Sequence, residues 1–530
     1  MMHRLTNALL TILLVASALL CAPPLMAQQA THRWPTKEWP ISAPEQQGMS
    51  SGALARLVDF GLFNNMDSLL VTRHGTIVLE ATYAPFRAGL KHRINSATKS
   101  VVSTLVGIAL KDGLLGSTDR PVVDFFADRT IANLDDRKKA MTIRHLLDMT
   151  SGLDWKEPFD GQLESFIAME SSRDWQQFIL DRPMAAQPGT VFNYNSGNSH
   201  LLSAILTKVT GRSALDYARE TLFEPLGIED VLWRHDPQGI SAGGGGLYLQ
   251  PRDMAKIGTL YLRSGRWEGK QVLPASWIEG VRKANVDMRE SWARDLRYGS
   301  QFWVMPGRGA YLAVGYNRQL IVVMPKLDIV AVVTGAARFP PLGGRPSSPN
   351  YGFDTLLGFL GAAVTSDSEA APDSTATADL AERLRLANIE QPSPVGVPSA
   401  MAKAVSSKTW RFAKNALRLR SLTFRFDDPL PSFEYELDDG LPGQPTSRLE
   451  GRFGGPIGVD GHTRVGGRMP YGPSAARGAW SADGRTLVLE VQTLGNDDIA
   501  RVTHVFGDGT VQMSFEFASG FRVTMQGQAD

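Results

Sequence analysis

Two short apolar runs, Ser68-Leu-Leu-Val71 and Thr76-Ile-Val-Leu79, flank Arg73-His74-Gly75 and predict a β-hairpin. Far downstream, Leu320-Ile-Val-Val-Met324 and Ile329-Val-Ala-Val-Val333 flank Pro325-Lys-Leu-Asp328. The second pair is apolar at every position, the pattern of central strands buried on both faces. Between them, from about residue 96 to 290, the chain turns mostly helical and loop-rich. An early hairpin and a late hairpin around a helical insert predict one sheet built from both ends, with the insert as a second lobe. A cleft between such lobes is a natural place for a site.

The pattern changes after residue 362. Residues 365 to 376 are rich in Ser, Asp, Ala, Thr and Pro and read as a linker. A short helix is expected over Leu380 to Ile389, and Gln391-Pro-Ser-Pro394 breaks the chain again. From about 405 the segments alternate with period two: Leu422-Thr-Phe-Arg-Phe426, Phe433-Glu-Tyr-Glu-Leu437, Leu487-Val-Leu-Glu-Val491, Val511 to Phe517 and Phe521 to Met525. Asp-Gly turns at 439, 483 and 508 separate them. They predict a small antiparallel sandwich or barrel over 405–530, which carries no evident set of catalytic residue types.

Composition narrows the class. The chain has 530 residues, 55 Lys plus Arg and 54 Asp plus Glu, a balance that argues against a nucleic-acid footprint. Met1 to Arg4 is a short basic segment, and Ala8 to Ala22 is an apolar run shorter than the about 20 residues a membrane span needs. Pro23 and Pro24 break it before Leu25-Met26-Ala27. This reads as a cleaved signal peptide over 1–27, leaving no stable membrane span and a periplasmic or secreted protein. Cys21 is the only cysteine, so the mature chain would hold no disulfide, no thiol nucleophile and no thiolate metal site.

The candidate chemistry lies at Arg93-Ile-Asn-Ser-Ala-Thr-Lys-Ser100. Ser96 stands where a helix is expected to begin, with apolar residues at 101, 102, 105, 106 and 109 and Gly113 closing it. Ser96 is then either an N-cap, or one half of a pair with Lys99, which shares its helix face. A lysine in a first helical turn opposes the helix dipole by up to about 1 kcal/mol, and the cap alone does not explain it. A neutral lysine amine beside the hydroxyl would accept its proton and activate it. The residues by themselves leave both possibilities open.

Around Ser96-x-x-Lys99 the chain resembles the serine β-lactamase and penicillin-binding-protein superfamily, in particular the class C-like esterases and the 6-aminohexanoate-dimer hydrolases. The resemblance also rests on Ile143-Arg-His-Leu-Leu147 running into Thr150-Ser-Gly-Leu153, on Phe192-Asn-Tyr-Asn-Ser-Gly-Asn198, and on Gly245-Gly-Leu-Tyr-Leu249 before Pro251-Arg-Asp-Met-Ala255. It covers about residues 40 to 362. It implies an α+β fold, a β-lactamase-like antiparallel sheet flanked by helices with a helical lobe, followed here by a linker over 363–404 and the all-β domain. It implies Ser96 as the acylated nucleophile, Lys99 as its base, and Tyr194 of Tyr194-Asn195-Ser196 as the tyrosine that shares proton transfer. Ser196 replaces the family's asparagine beside the substrate, which speaks against β-lactam turnover. The third family motif matches Gly315-Tyr-Asn-Arg-Gln319: Tyr316 takes its first place, Asn317 and Arg318 stand where glycines are usual, and Gln319 would supply the second oxyanion N–H. Arg318 would either enter the cleft or point to solvent.

Other signals compete less well. Gly48-Met-Ser-Ser-Gly52 and Gly239-Ile-Ser-Ala-Gly243 match the nucleophile elbow, but neither follows a predicted strand, and Ser50 or Ser51 is better placed to cap a helix from Ala53. His74, His92, His145, His200 and His235 show no ligand spacing. The expectation is therefore an exported serine hydrolase acting on a small amide or ester, without cofactor or metal, with β-lactamase or D-alanyl peptidase activity and a non-turnover acyl-binding sensor as alternatives.

Overall fold

The computed structural model describes residues 34–157, 163–284, 286–288, 295–339, 352–396, 399–438 and 451–530. The expected signal segment 1–27 and the expected Asp439-Gly440 turn lie outside them. The early hairpin forms β1 (Met66–Arg73) and β2 (Thr76–Thr82), joined through His74 and Gly75, both with positive φ. Among the described residues it is completed by Val286–Asp287 (β3), Arg297–Gly299 (β4), Phe302–Met305 (β5), Ala310–Gly315 (β6), Gln319–Met324 (β7) and Ile329–Gly335 (β8). The strand order is β2-β1-β8-β7-β6-β5-β4-β3. The two ends of this region meet where β1 pairs antiparallel with β8, Leu69 opposite Val333.

Every residue of β7 and β8 is buried, because helices cover both faces of the sheet. On one face Leu69, Val71, Val322, Ala331 and Val333 share a core with α1 (Ser51–Phe63) and with the later α5 (Phe353–Ala363) and α6 (Ser374–Ala387). The lobe between the hairpins contributes α2 (Thr98–Lys111), α3 (Ser196–Thr210) and α4 (Pro251–Leu262). On the opposite face α4 lies so close that a Cβ on Gly258 would stand 2.5 Å from Val330. Only a glycine allows that approach. Ser50 caps α1 by accepting from Ala53 N at 3.3 Å, which explains the first elbow-like motif. Ser241, in the second, is buried and its hydroxyl accepts from Leu215 N.

The stretch read as a linker is more ordered than its composition suggested. Asp373 caps α6, and Leu380 and Ala387 bury into the same core as α1. Its Ala-rich sequence is a good helix former once an Asp cap is in place. Beyond it, among the described residues, ten strands from Thr409–Phe412 (β9) to Arg522–Ala529 (β18) close into an antiparallel barrel, β9 pairing with β18. Closure leaves no free sheet edge, and of the two expected architectures it is the barrel that forms.

Candidate active site

Ser96 is not a helix cap. Asn95–Ala97 form a 3-10 turn, α2 starts at Thr98, and no side chain caps either start. Asn95 takes a left-handed φ of 46°, which bends the chain so that Ser96 is half-exposed while Lys99 is 1% exposed beneath it. The helix carrying Lys99 is buried along most of its length. Its polar side chains are satisfied inside: Ser100 donates to Gln301 O at 2.7 Å and Ser103 to Ser300 O at 2.6 Å.

Lys99 Nζ has three hydrogen-bond partners: Ser96 Oγ at 3.0 Å, Ser196 Oγ at 2.9 Å and Gly244 O at 2.7 Å. Ser196 opens α3. Its hydroxyl donates to Glu157 Oε1 at 2.5 Å and its backbone N–H to Glu157 Oε2 at 2.7 Å. Trp155 Nε1 also donates to Glu157 Oε2, at 2.7 Å. Burial pushes the Lys99 amine down to about 8, and the Glu157 carboxylate works against that shift. The Tyr194 ring lies beside the lysine, 4.9 Å from Nζ to ring centroid, and packs edge-on against Tyr298.

These contacts fix the lysine's direction. An ammonium has three donors, a neutral amine two donors and one lone pair. The Gly244 carbonyl has no proton to give, and Ser196 commits its proton to Glu157. When Lys99 is neutral, its two N–H groups are used by Gly244 and Ser196, and the lone pair is left facing Ser96 Oγ. The arrangement can therefore take a proton from Ser96 and give one back.

The strand side of the site is built by close approach. A Cβ on Gly315 would lie 2.3 Å from Ile94 O and 3.1 Å from Ala97 N, so the end of β6 presses on the backbone of the Ser96 turn. Asn317 and Arg318 both hold positive φ, 56° and 64°, in the turn from β6 to β7. Tyr316 is 38% exposed. Gln319 is buried; its side chain donates to Asn317 O and Gly335 O, and its backbone stands opposite Gly315. The Arg318 guanidinium reaches Asn64 Oδ1 at 3.5 Å. The structure thus groups Ser96, Lys99, Tyr194 and Ser196 around one amine and sets the 316–319 turn at the end of the strand against Ser96.

Three further contributors were not picked out from the sequence. Glu157 carries no motif. Gly244 fits because a Cβ there would meet Ser196 Cβ at 2.8 Å, and the Gly243–Gly246 run was the available signal. The third comes from the barrel: Asp497 accepts from Asn95 Nδ2 at 2.7 Å, and its carbonyl accepts from Asn317 Nδ2 at 2.8 Å and Ala337 N at 2.9 Å. Gly495 O accepts from Arg93 N at 2.7 Å. Among the described residues no group of three His, Cys, Asp or Glu is placed to hold a metal, and no helix is long and apolar enough to cross a membrane.

The chain is 25% identical over 288 residues to the 6-aminohexanoate-dimer hydrolase of Paenarthrobacter ureafaciens, covering 50% of this chain and 71% of that one. It is 26% identical over 167 residues to the monacolin J acid methylbutanoyltransferase of Aspergillus terreus, 28% of this chain and 40% of that one. A solved structure from Bacillus anthracis, provisionally assigned as a 6-aminohexanoate-dimer hydrolase, superposes with a TM-score of 0.52 at 20% identity over 61% of this chain and 87% of that one. A family model described as Beta-lactamase matches residues 65–345, more than half of the sequence, and the chain accordingly belongs to this family of serine β-lactamase-related hydrolases.

Proposed function

We propose that the protein cleaves a linear amide or ester through an acyl-enzyme on Ser96, in the manner of a 6-aminohexanoate-oligomer hydrolase or a carboxylesterase, after export to the periplasm or the medium. The observation that carries this is the set of three partners on Lys99, which leaves the neutral amine's lone pair for Ser96. Ser96 Oγ attacks the carbonyl and Lys99 takes its proton. The amine, with Tyr194 beside it, returns that proton to the leaving group, and water releases the acid in a second passage. By position, the backbone N–H groups of Ser96 and Gln319 receive the oxyanion. The burial of Ser196 against Lys99 and Glu157 withholds it from substrate, which favours linear amides and esters over β-lactams.

The test is intact mass after a fluorophosphonate probe, followed by turnover on p-nitrophenyl esters and linear aminohexanoate amides. One adduct on Ser96, absent in Ser96→Ala and slow in Lys99→Ala, with repeated turnover, is the expected result. An adduct without turnover would make the protein an acyl-binding sensor, and no adduct would overturn the mechanism.

A further inference from the structure

Ten strands are more than a small barrel needs to fill itself with side chains, and a barrel of about eight already holds a small ligand in some folds. Here one end is packed: the tilted rings of Trp410 and Trp480 lie against Phe506, with centroids 5.3 and 5.6 Å away. The other part of the interior holds a cavity of about 350 Å3. That is roughly twice the ~150 Å3 apolar cavity known to take benzene. Its walls include Leu422, Phe433, Leu489, Val502, Met513 and Phe515. His504 also lines it, and burial drops its imidazole to about 4, so this wall residue is neutral near pH 7.

Charge appears at one rim only. Arg93, Asn496, Asp497 and Asp498 line that part of the cavity, the same segment that docks beside Ser96. Arg93 stands 3.7 Å from Asp497, and its Nε is buried with no hydrogen-bond partner among the described residues. Burial, with Asp497 nearby, pushes the Asp498 carboxyl up to about 6. An apolar chain would satisfy the walls. A carbonyl or hydroxyl at its end would meet the Arg93 guanidinium at that rim, whereas a carboxylate would face two acidic neighbours.

We propose that the barrel interior binds one alkyl or aryl chain ending in an uncharged polar group such as an amide, ester or alcohol, with that end at Arg93 and Asp497–Asp498. This site is separate from the Ser96 chemistry and does not depend on turnover. The test is fluorescence titration of the full chain with N-phenyl-1-naphthylamine, using Ser96→Ala as well as the native protein. We expect saturable uptake of one probe per chain in both, displaced by dodecanamide at lower concentration than by dodecanoate. Leu489→Phe and Val502→Phe, which fill the cavity from two strands, should weaken uptake at least tenfold at unchanged Tm. Val505→Thr, on the outward face, should not. Photolabelling the native chain with an alkyl diazirine should mark peptides within 419–437 and 487–517, which keeps the proposal testable if the filled variants fold poorly. No saturable uptake, labelling elsewhere, or equal uptake by well-folded filled variants would overturn the site. Preference for dodecanoate would overturn the uncharged end.

Discussion

Lys99 donates to Ser196 at 2.9 Å, and the Ser196 hydroxyl donates onward to Glu157 at 2.5 Å. The residue that replaces the family's asparagine is thus a relay between a buried amine and a buried carboxylate. The relay ties the lysine's protonation to a group outside the three family motifs.

The pH dependence of Ser96 acylation should follow Lys99. Burial lowers its amine from 10.5 to about 8, so the neutral, proton-accepting form is a minority, roughly one tenth, at pH 7. The rate of fluorophosphonate or ester acylation should therefore rise with pH, with its midpoint near 8. A profile flat from pH 6 to 9 would remove Lys99 as the base. Lys99→Ala should lower kcat by roughly 10²- to 10⁴-fold and abolish that limb.

Glu157 works against the depression of the lysine, so neutralising it should move the same limb to lower pH. Glu157→Gln keeps an acceptor for Ser196 while removing the charge. The expected outcome is a higher acylation rate at pH 6 to 7 relative to the plateau, with a plateau lowered by the altered hydrogen bonds. A purely structural role would change the plateau and leave the midpoint where it was.

Gly315 is where the strand side tolerates no side chain. A Cβ there would overlap Ile94 O at 2.3 Å and crowd Ala97 N. Gly315→Ala should cost about 1–3 kcal/mol, read as a lower Tm, and should slow Ser96 labelling more than a distant variant of equal Tm loss. The overlap is with the nucleophile's own turn, so the loss of rate is the diagnostic part.

Much of this was readable from hydrophobic pattern and motif. The continuously apolar runs at 320–324 and 329–333 did mark strands buried on both faces, and the early hairpin did join them through β1 and β8. What escaped had physical reasons. Gly451–Pro456, Arg464–Met469 and Gly472–Trp480 are barrel strands rich in Gly and Ala, with little β propensity. Several of these glycines sit where the chains approach closely: a Cβ on Gly454 would sit 2.0 Å from Phe433 O. The residues around Ser96 left a helix cap and a Ser96–Lys99 pair both open, because a Ser before a helical run is often a cap, and the left-handed turn at Asn95 that decides against the cap is a three-dimensional fact. Glu157 is one acidic residue in a loop, and only the fold brings it to Ser196. Asp497 lies about four hundred residues from Asn95, so no local pattern could pair them.

That last pair carries the remaining prediction. Asp497 Oδ2 accepts from Asn95, the residue immediately before the nucleophile and one held at positive φ. Its side chain also stands 3.7 Å from Arg93, while its backbone carbonyl holds Asn317 in the turn on the other side. Asp497→Ala would leave the Asn95 amide without this acceptor and loosen Arg93, a change worth about 1–3 kcal/mol for a buried hydrogen bond to a charged group. Only the side-chain contacts are lost, so the barrel should stay docked through the 497 carbonyl, Gly495 O on Arg93 N, and Tyr248 donating to Asn496 Oδ1 at 3.0 Å. The expected outcome is Ser96 labelling slowed roughly tenfold, with a fall in Tm no larger than that of Gly315→Ala. Asp497→Asn, which keeps an oxygen for Asn95, should restore most of the rate. If Asp497→Ala labels Ser96 as fast as the native chain, the barrel loop covers the site without shaping it, and the left-handed turn at Asn95 is held by the hydrolase body alone.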